Sequence, residues 1–312
     1  MTTVLFAGCT GGMGSLLLSR LMASHTEACR QQRQKHDDVK RRPAASDESH
    51  TLLGSKPIRH LILVDYFKDD AAKHALRRQC PDTVGNIDVL HWDASDDQQT
   101  LALLATLDRL LSKGSHALDY VVITTGMGFH GDLENTSPDS MCAVLNRLMH
   151  VNAIGPSLLM QWCGKRMQQQ RGVAPPPASL PPTILVLSSF SGVIGLPLRS
   201  AYCASKFALN GFVESMSAEY PSLRFVVVCP TSVSTNFRDN WKAKLLEKHT
   251  SSDGSVVPGG SSPPPEANAA QLTAEQCVQG IWSNFVSRKT GPGVHYVILP
   301  RGKTLIAYAA SR

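Results

Sequence analysis

Thr3-Val4-Leu5-Phe6-Ala7-Gly8-Cys9-Thr10-Gly11-Gly12-Met13-Gly14 opens the chain with an apolar run that breaks into glycines and then into Ser15-Leu16-Leu17-Leu18. A strand that passes through G-x-x-x-G-x-G straight into a helix has three physical demands. The backbone turns tightly, it admits an anion to close approach, and it leaves the N–H groups of the first helical turn free to meet that anion. Glycine meets all three, and open α/β sheets hold a pyrophosphate in this way. A tight turn that binds nothing is the other reading that glycines alone leave open.

Outward from this turn, apolar β-branched runs alternate with helical stretches. Strands are predicted over residues 3–7, 60–65, 87–92, 119–124, 183–188, 224–229 and 294–299, and helices over 12–23, 68–79, 97–113, 137–168, 201–219 and 274–288. Such alternation implies right-handed crossovers and a Rossmann-like, doubly wound, seven-stranded parallel sheet of the α/β class, with helices on both faces. The unbroken apolar strands suit a sheet covered on both sides. Residues 25–58 (charged), 168–182 (glutamine- and proline-rich) and 250–270 (rich in Ser, Gly and Pro) interrupt the rhythm and read as loosely ordered insertions into a single catalytic domain spanning 1–312.

Composition narrows the function. Hydrophobic residues make up 42% of the 312, enough to fill a core, and no apolar run is long enough for a membrane span or clear anchor. The strand-like start leaves no room for a secretory leader, so a cytoplasmic location is expected. Of the net charge of +6, residues 30–42 carry +4 (six basic against two acidic), which reads as a solvated polar segment and gives no support for nucleic-acid binding. Eight scattered cysteines without a C-x-x-C pair are expected to be reduced core residues rather than disulfides or metal ligands.

The second strand ends in Leu63-Val64-Asp65, where a carboxylate accepts hydrogen bonds from adenosine ribose hydroxyls and repels a 2′-phosphate. No Arg or Lys stands in the glycine loop. Both features favour NAD(H), with NADP(H) left open because Lys68 is near; a plain turn or cap role for Asp65 also stays open. Asp93, after the third strand, has two equal readings: acceptor from the adenine amino group, or cap of the following helix.

The densest chemistry lies in Leu187-Ser188-Ser189-Phe190-Ser191-Gly192 and, after a short link, Ala201-Tyr202-Cys203-Ala204-Ser205-Lys206. Tyr202 and Lys206, four apart on a helix, share a face. A free phenol has a pKa of about 10, too high for proton exchange near neutrality, and a nearby ammonium would lower it. Tyr202 is thus the expected general acid or base and Lys206 its tuner. Ser189, at the C-terminal end of a central strand, would hydrogen-bond the substrate oxygen. Taken alone, Ser189 also reads as a cap.

Tyr202-x-x-x-Lys206, the serine thirteen residues earlier and the Gly8/Gly12/Gly14 loop together resemble the short-chain dehydrogenase/reductase family, and the stretch from Leu196 to Leu209 is similar to its retinol- and hydroxysteroid-type members. The resemblance implies that Asn152 is a fourth catalytic residue, kinking its helix and holding a water linked to the lysine. It implies that Gly8, Thr10, Gly12, Met13, Gly14, Asp65, Asp93, Gly126, Tyr202, Lys206, Pro230, Val233 and Thr235 contact the dinucleotide, with Thr235 on the carboxamide. It also implies a homodimer or homotetramer. Two departures stand out. Thr124 occupies the place of a sheet-stabilising Asn, which puts that sheet hydrogen bond in doubt, and Pro230-Thr231 replaces Pro-Gly. The expected activity is hydride transfer between a nicotinamide cofactor and a small, rather apolar secondary alcohol or ketone. The competing class is a dinucleotide-binding regulatory protein with little turnover.

Overall fold

Residues 2–38, 57–112, 117–170, 181–234, 272–285 and 291–300 are described by the computed structural model of the chain. In these segments β1 (Thr2–Ala7) leads to α1 (Gly12–Asp38), β2 (Ile58–Asp65), α2 (Asp70–Arg78), β3 (Asn86–His91), α3 (Asp97–Ser112) and β4 (Tyr120–Ile123). Then come α4 (Pro138–Met149), a π-helical segment (His150–Ile154), α5 (Gly155–Gln169) and β5 (Thr183–Leu187). A 3-10 turn (Phe190–Gly192) precedes α6 (Ser200–Glu219) and β6 (Arg224–Pro230). The described chain ends with β7 (Val233–Ser234), β8 (Leu272–Thr273), α7 (Ala274–Phe285) and β9 (Gly293–Leu299).

Seven strands form one parallel sheet in the order β3-β2-β1-β4-β5-β6-β9, as the alternating pattern predicts. The order reverses between β1 and β4, and ligands of open α/β sheets bind outside the carboxyl ends of the strands at such a switch. Burial explains the strand composition. Every residue of β1 and β6 is buried, because one set of side chains meets α1 and α7 while the other meets α3, α5 and α6. No helix among the described residues is long and apolar enough to cross a membrane.

Two expectations need correction. The first helix does not stop near residue 23 and give way to a loose segment; α1 continues to Asp38. Its apolar stripe of Leu18, Leu21 and Met22 goes on through His25 and Ala28, both fully buried. His25 Nδ1 accepts from the backbone N–H of Ile58 at 3.0 Å and its Nε2 meets Thr83 Oγ1 at 2.9 Å, so the extra turns are held against the start of β2. Residues 39–56 and 250–270 lie outside the described residues, as do 171–180 of the second expected insertion, whose first two residues belong to α5. The second correction concerns the expected continuous helix 137–168, which the π segment divides in two at Asn152, the residue that the family resemblance implied would kink it.

Candidate active site

At the switch point the glycines prove necessary for packing itself. Gly8 has φ +84°, and a Cβ there would stand 2.4 Å from the Thr125 nitrogen. On Gly14 a Cβ would stand 1.9 Å from the Gly8 carbonyl oxygen. Both contacts are with backbone, which has no room to yield. Thr10, Gly11 and Gly12 are exposed, α1 begins there, and its first turn carries no acidic side chain. That is an open, positively polarised helix start, suited to a phosphate. Met13 packs its side chain against the core, so any cofactor contact from it would come from its main chain.

The loop after β4 closes over this turn. Thr124 donates its hydroxyl to Gly8 O at 2.7 Å, with Ala7 O at 3.2 Å, while its N–H bonds Ala7 O at 2.8 Å. The sheet hydrogen bond doubted from the sequence is therefore made, here by a hydroxyl.

Asp65 is committed to the loop more than expected. Its Oδ2 accepts from Thr10 N at 2.6 Å and Thr10 Oγ1 at 2.8 Å, and Oδ1 accepts from Tyr66 N at 2.8 Å. A carboxylate offers about four acceptor positions, so one remains for a ribose hydroxyl. Asp93 is not the cap of α3: Asp96 accepts from Gln99 N at 3.1 Å, while Asp93 Oδ1 holds Ser95 N and Oγ at 2.9 and 2.6 Å.

Ser189, Asn152, Tyr202 and Lys206 are all buried. Ser189 caps the 3-10 turn, accepting from Ser191 N at 3.1 Å. Burial pushes the Tyr202 phenol up to about 12, and hydrogen bonding from Ser189 and the Arg199 charge pull it partly back. Burial likewise drives the Lys206 ammonium down to about 8. The expected lowering of the phenol by Lys206 is not made: a lysine brought to about 8 is already neutral where a phenol at about 12 ionises, although Lys206 Nζ lies 5.9 Å from the ring centroid and donates to Leu187 O at 3.2 Å.

Asn152 sits in the π segment, where the widened turn aims its amide at the loop after β4. Its Oδ1 accepts from Met127 N at 2.7 Å, and its Nδ2 donates to Met127 O at 2.9 Å and to Ser205 Oγ at 3.0 Å. Ser205 in turn donates to Tyr202 O at 2.8 Å. A Cβ on Gly126 would stand 3.2 Å from Asn152 Oδ1 and 3.4 Å from Lys206 Nζ, so the missing side chain leaves the space where those two converge. Pro230 ends β6 opposite Leu299, and Val233 opens β7. Thr235 lies outside the described residues. Sequence reasoning missed Ser205 and Asn210, although both follow Tyr202 on α6 and Asn210 stands four residues beyond Lys206; that spacing was the available signal.

A parallel sheet with a glycine turn at its switch point and a buried Ser-Tyr-Lys-Asn cluster beside it defines a dinucleotide-type α/β fold. Comparison with known proteins agrees. A family model described as short chain dehydrogenase matches residues 52–246, and the chain belongs to that family. It is 28% identical over 220 residues to 17-beta-hydroxysteroid dehydrogenase type 1 of Mus musculus, an alignment covering 70% of this chain and 50% of that protein. The chain thus spans about half the length of such relatives. A 3-oxoacyl-[acyl-carrier protein] reductase from Brucella melitensis in complex with NAD has a similar fold, with TM-score 0.59 at 18% identity and coverage of 95% of this chain and 96% of that one. An alcohol dehydrogenase from Thermococcus sibiricus complexed with 5-hydroxy-NADP gives TM-score 0.59 at 15% identity, with 96% of both chains covered.

Proposed function

We propose that the chain is an NAD(P)-dependent oxidoreductase that moves hydride to or from a secondary alcohol or ketone of apolar character, with Tyr202 as general acid or base. The observation that carries this reading is the joint burial of Ser189, Tyr202 and Lys206, with Lys206 Nζ 5.9 Å from the centre of the Tyr202 ring. A binding module has no use for such a lysine.

The residues present fit the dinucleotide. The exposed Thr10–Gly11–Gly12 turn would take its pyrophosphate, Asp65 a ribose hydroxyl and Asp93 the adenine amino group. Gly126, Pro230, Val233 and Thr235 would complete the nicotinamide end. When bound, the nicotinamide supplies or accepts the hydride. In the reducing direction Tyr202 Oη gives its proton to the substrate oxygen, which Ser189 Oγ holds by a second hydrogen bond. A phenol at about 12 is protonated at rest, which is the form carbonyl reduction uses. Lys206 exchanges protons readily near pH 8 and restores the phenol, while Asn152 fixes the loop beside it. The Asp65 carboxylate favours NAD(H) over NADP(H).

Tyr202→Phe tests the assignment. It should bind NADH as the unmutated chain does, by fluorescence titration, and lose at least about 100-fold in turnover on a panel of ketones and alcohols. If both proteins bind dinucleotide and are equally inert on the panel, the chain is a regulatory binding protein instead. Cross-linking and light scattering test the dimer or tetramer that the family relationship suggests.

A further inference from the structure

Beneath the cluster, one buried amide links both sides of the turn that displays Ser189 to the helix that displays Tyr202. Asn210 Oδ1 accepts from the Ser188 hydroxyl at 2.7 Å, and its Nδ2 donates to Gly192 O at 2.9 Å. Ser188 and Asn210 are 4% and 5% exposed, so neither bond competes with water. The residue before Ser189 and the residue three after it are therefore held by a single side chain. That side chain stands one helical turn beyond Lys206 and two beyond Tyr202. Gly192 makes this approach possible: a Cβ there would lie 2.8 Å from Asn210 Nδ2 and 2.9 Å from Lys206 O.

We infer that Asn210, with Ser188, is a positioning residue that sets the Ser189–Tyr202 separation. The inference rests on the oxidoreductase reading above and adds a residue to it. The carboxamide satisfies both ends, because Ser188 presents a donor and Gly192 an acceptor. A carboxylate at 210 would set oxygen against the Gly192 carbonyl, and a leucine of similar volume would make neither bond. Loss of the amide frees the 3-10 turn to shift on α6, and displacements of about 1 Å at a reacting group cost about 100-fold in rate.

The experiment is a double-mutant cycle between Asn210→Leu and Ser189→Ala in the full chain. Asn210→Leu should lower kcat about 10- to 100-fold with KM for the ketone and NADH affinity held within about threefold. In the Ser189→Ala background the same change should cost less than about threefold, since no hydroxyl remains to misplace. Equal losses in both backgrounds, or no loss in the first, overturn the inference. A readout free of turnover separates it from the proposed activity: the ring-carbon NMR resonance of Tyr202, assigned with Tyr202→Phe. Asn210→Leu should move that resonance in the same sense as Ser189→Ala. If Ser189→Ala moves it and Asn210→Leu does not, the inference fails even if the enzyme is active. If Asn210→Leu moves it in a chain with no turnover, the inference stands and the activity assignment falls. Should Asn210→Leu not fold, Ser188→Ala removes one of the two bonds and should show a smaller effect on both readouts; none on either refutes the role.

Discussion

Replacing Lys206 by methionine is expected to stabilise the fold at neutral pH and to lose that advantage in alkali. Lys206 is 3% exposed, and burial brings its pKa from an ordinary 10.5 to about 8. A tenfold change in proton affinity is worth about 1.4 kcal/mol, so the ammonium form costs the folded state about 3 kcal/mol. Methionine has a similar volume and no charge, and gives up the bond to Leu187 O, worth about 1 kcal/mol. The net gain at pH 7 is therefore about 2 kcal/mol. Below pH 8 the lysine is charged both folded and unfolded, and the cost is present in full. Between pH 8 and 10.5 the unfolded chain binds more protons than the folded one, so the stability of the unmutated protein rises with pH. Above 10.5 both forms are neutral and only the lost hydrogen bond separates the two proteins. Tyr202 titrates in the opposite sense at higher pH, where a raised phenol makes stability fall as pH passes from 10 to about 12, but in this comparison it is common to both chains. Urea unfolding followed by circular dichroism at pH 7, 9 and 10.5 would measure the gap. A gap that stays constant with pH, or a mutant less stable at pH 7, would refute the charge-burial argument.

Thr124→Val keeps the shape of the side chain but removes the hydroxyl bonded to Gly8 O, and should cost about 1–3 kcal/mol in unfolding free energy and weaken NADH binding, while Thr124→Ser should retain most of both. Asp65→Ala releases Thr10 and removes the charge facing a 2′-phosphate. Its NADPH/NADH affinity ratio, read by fluorescence titration, should rise about tenfold or more, and an unchanged ratio would mean that Asp65 serves the loop alone.

Most of the fold was legible because its signals are local. Each central strand is an apolar run buried on both faces, and the glycine turn follows β1 directly, so neither needs knowledge of distant contacts. Tyr202, Lys206 and Ser189 were legible for the same reason: helical spacing and a strand end place them. What escaped depends on partners far along the chain. A kink at Asn152 came only through the family resemblance; its π form, where Asn152 bonds Met127 and Ser205, 25 and 53 residues away, is marked by no local propensity. The length of α1 was hidden by its charged residues, although the stripe through His25 and Ala28 continued. The phenol's pKa was misjudged because neighbouring charge could be read from spacing, whereas the depth of burial could not.

The short parallel pairing of Val233–Ser234 with Leu272–Thr273 has an evolutionary corollary. Hydrogen bonds fasten the point where the chain leaves β6 to the point where it enters α7, so these two points stay together whatever joins them. A lineage could therefore change the length of chain between Ser234 and Leu272 while this pairing, and with it the seating of β6 against α7, stayed as it is.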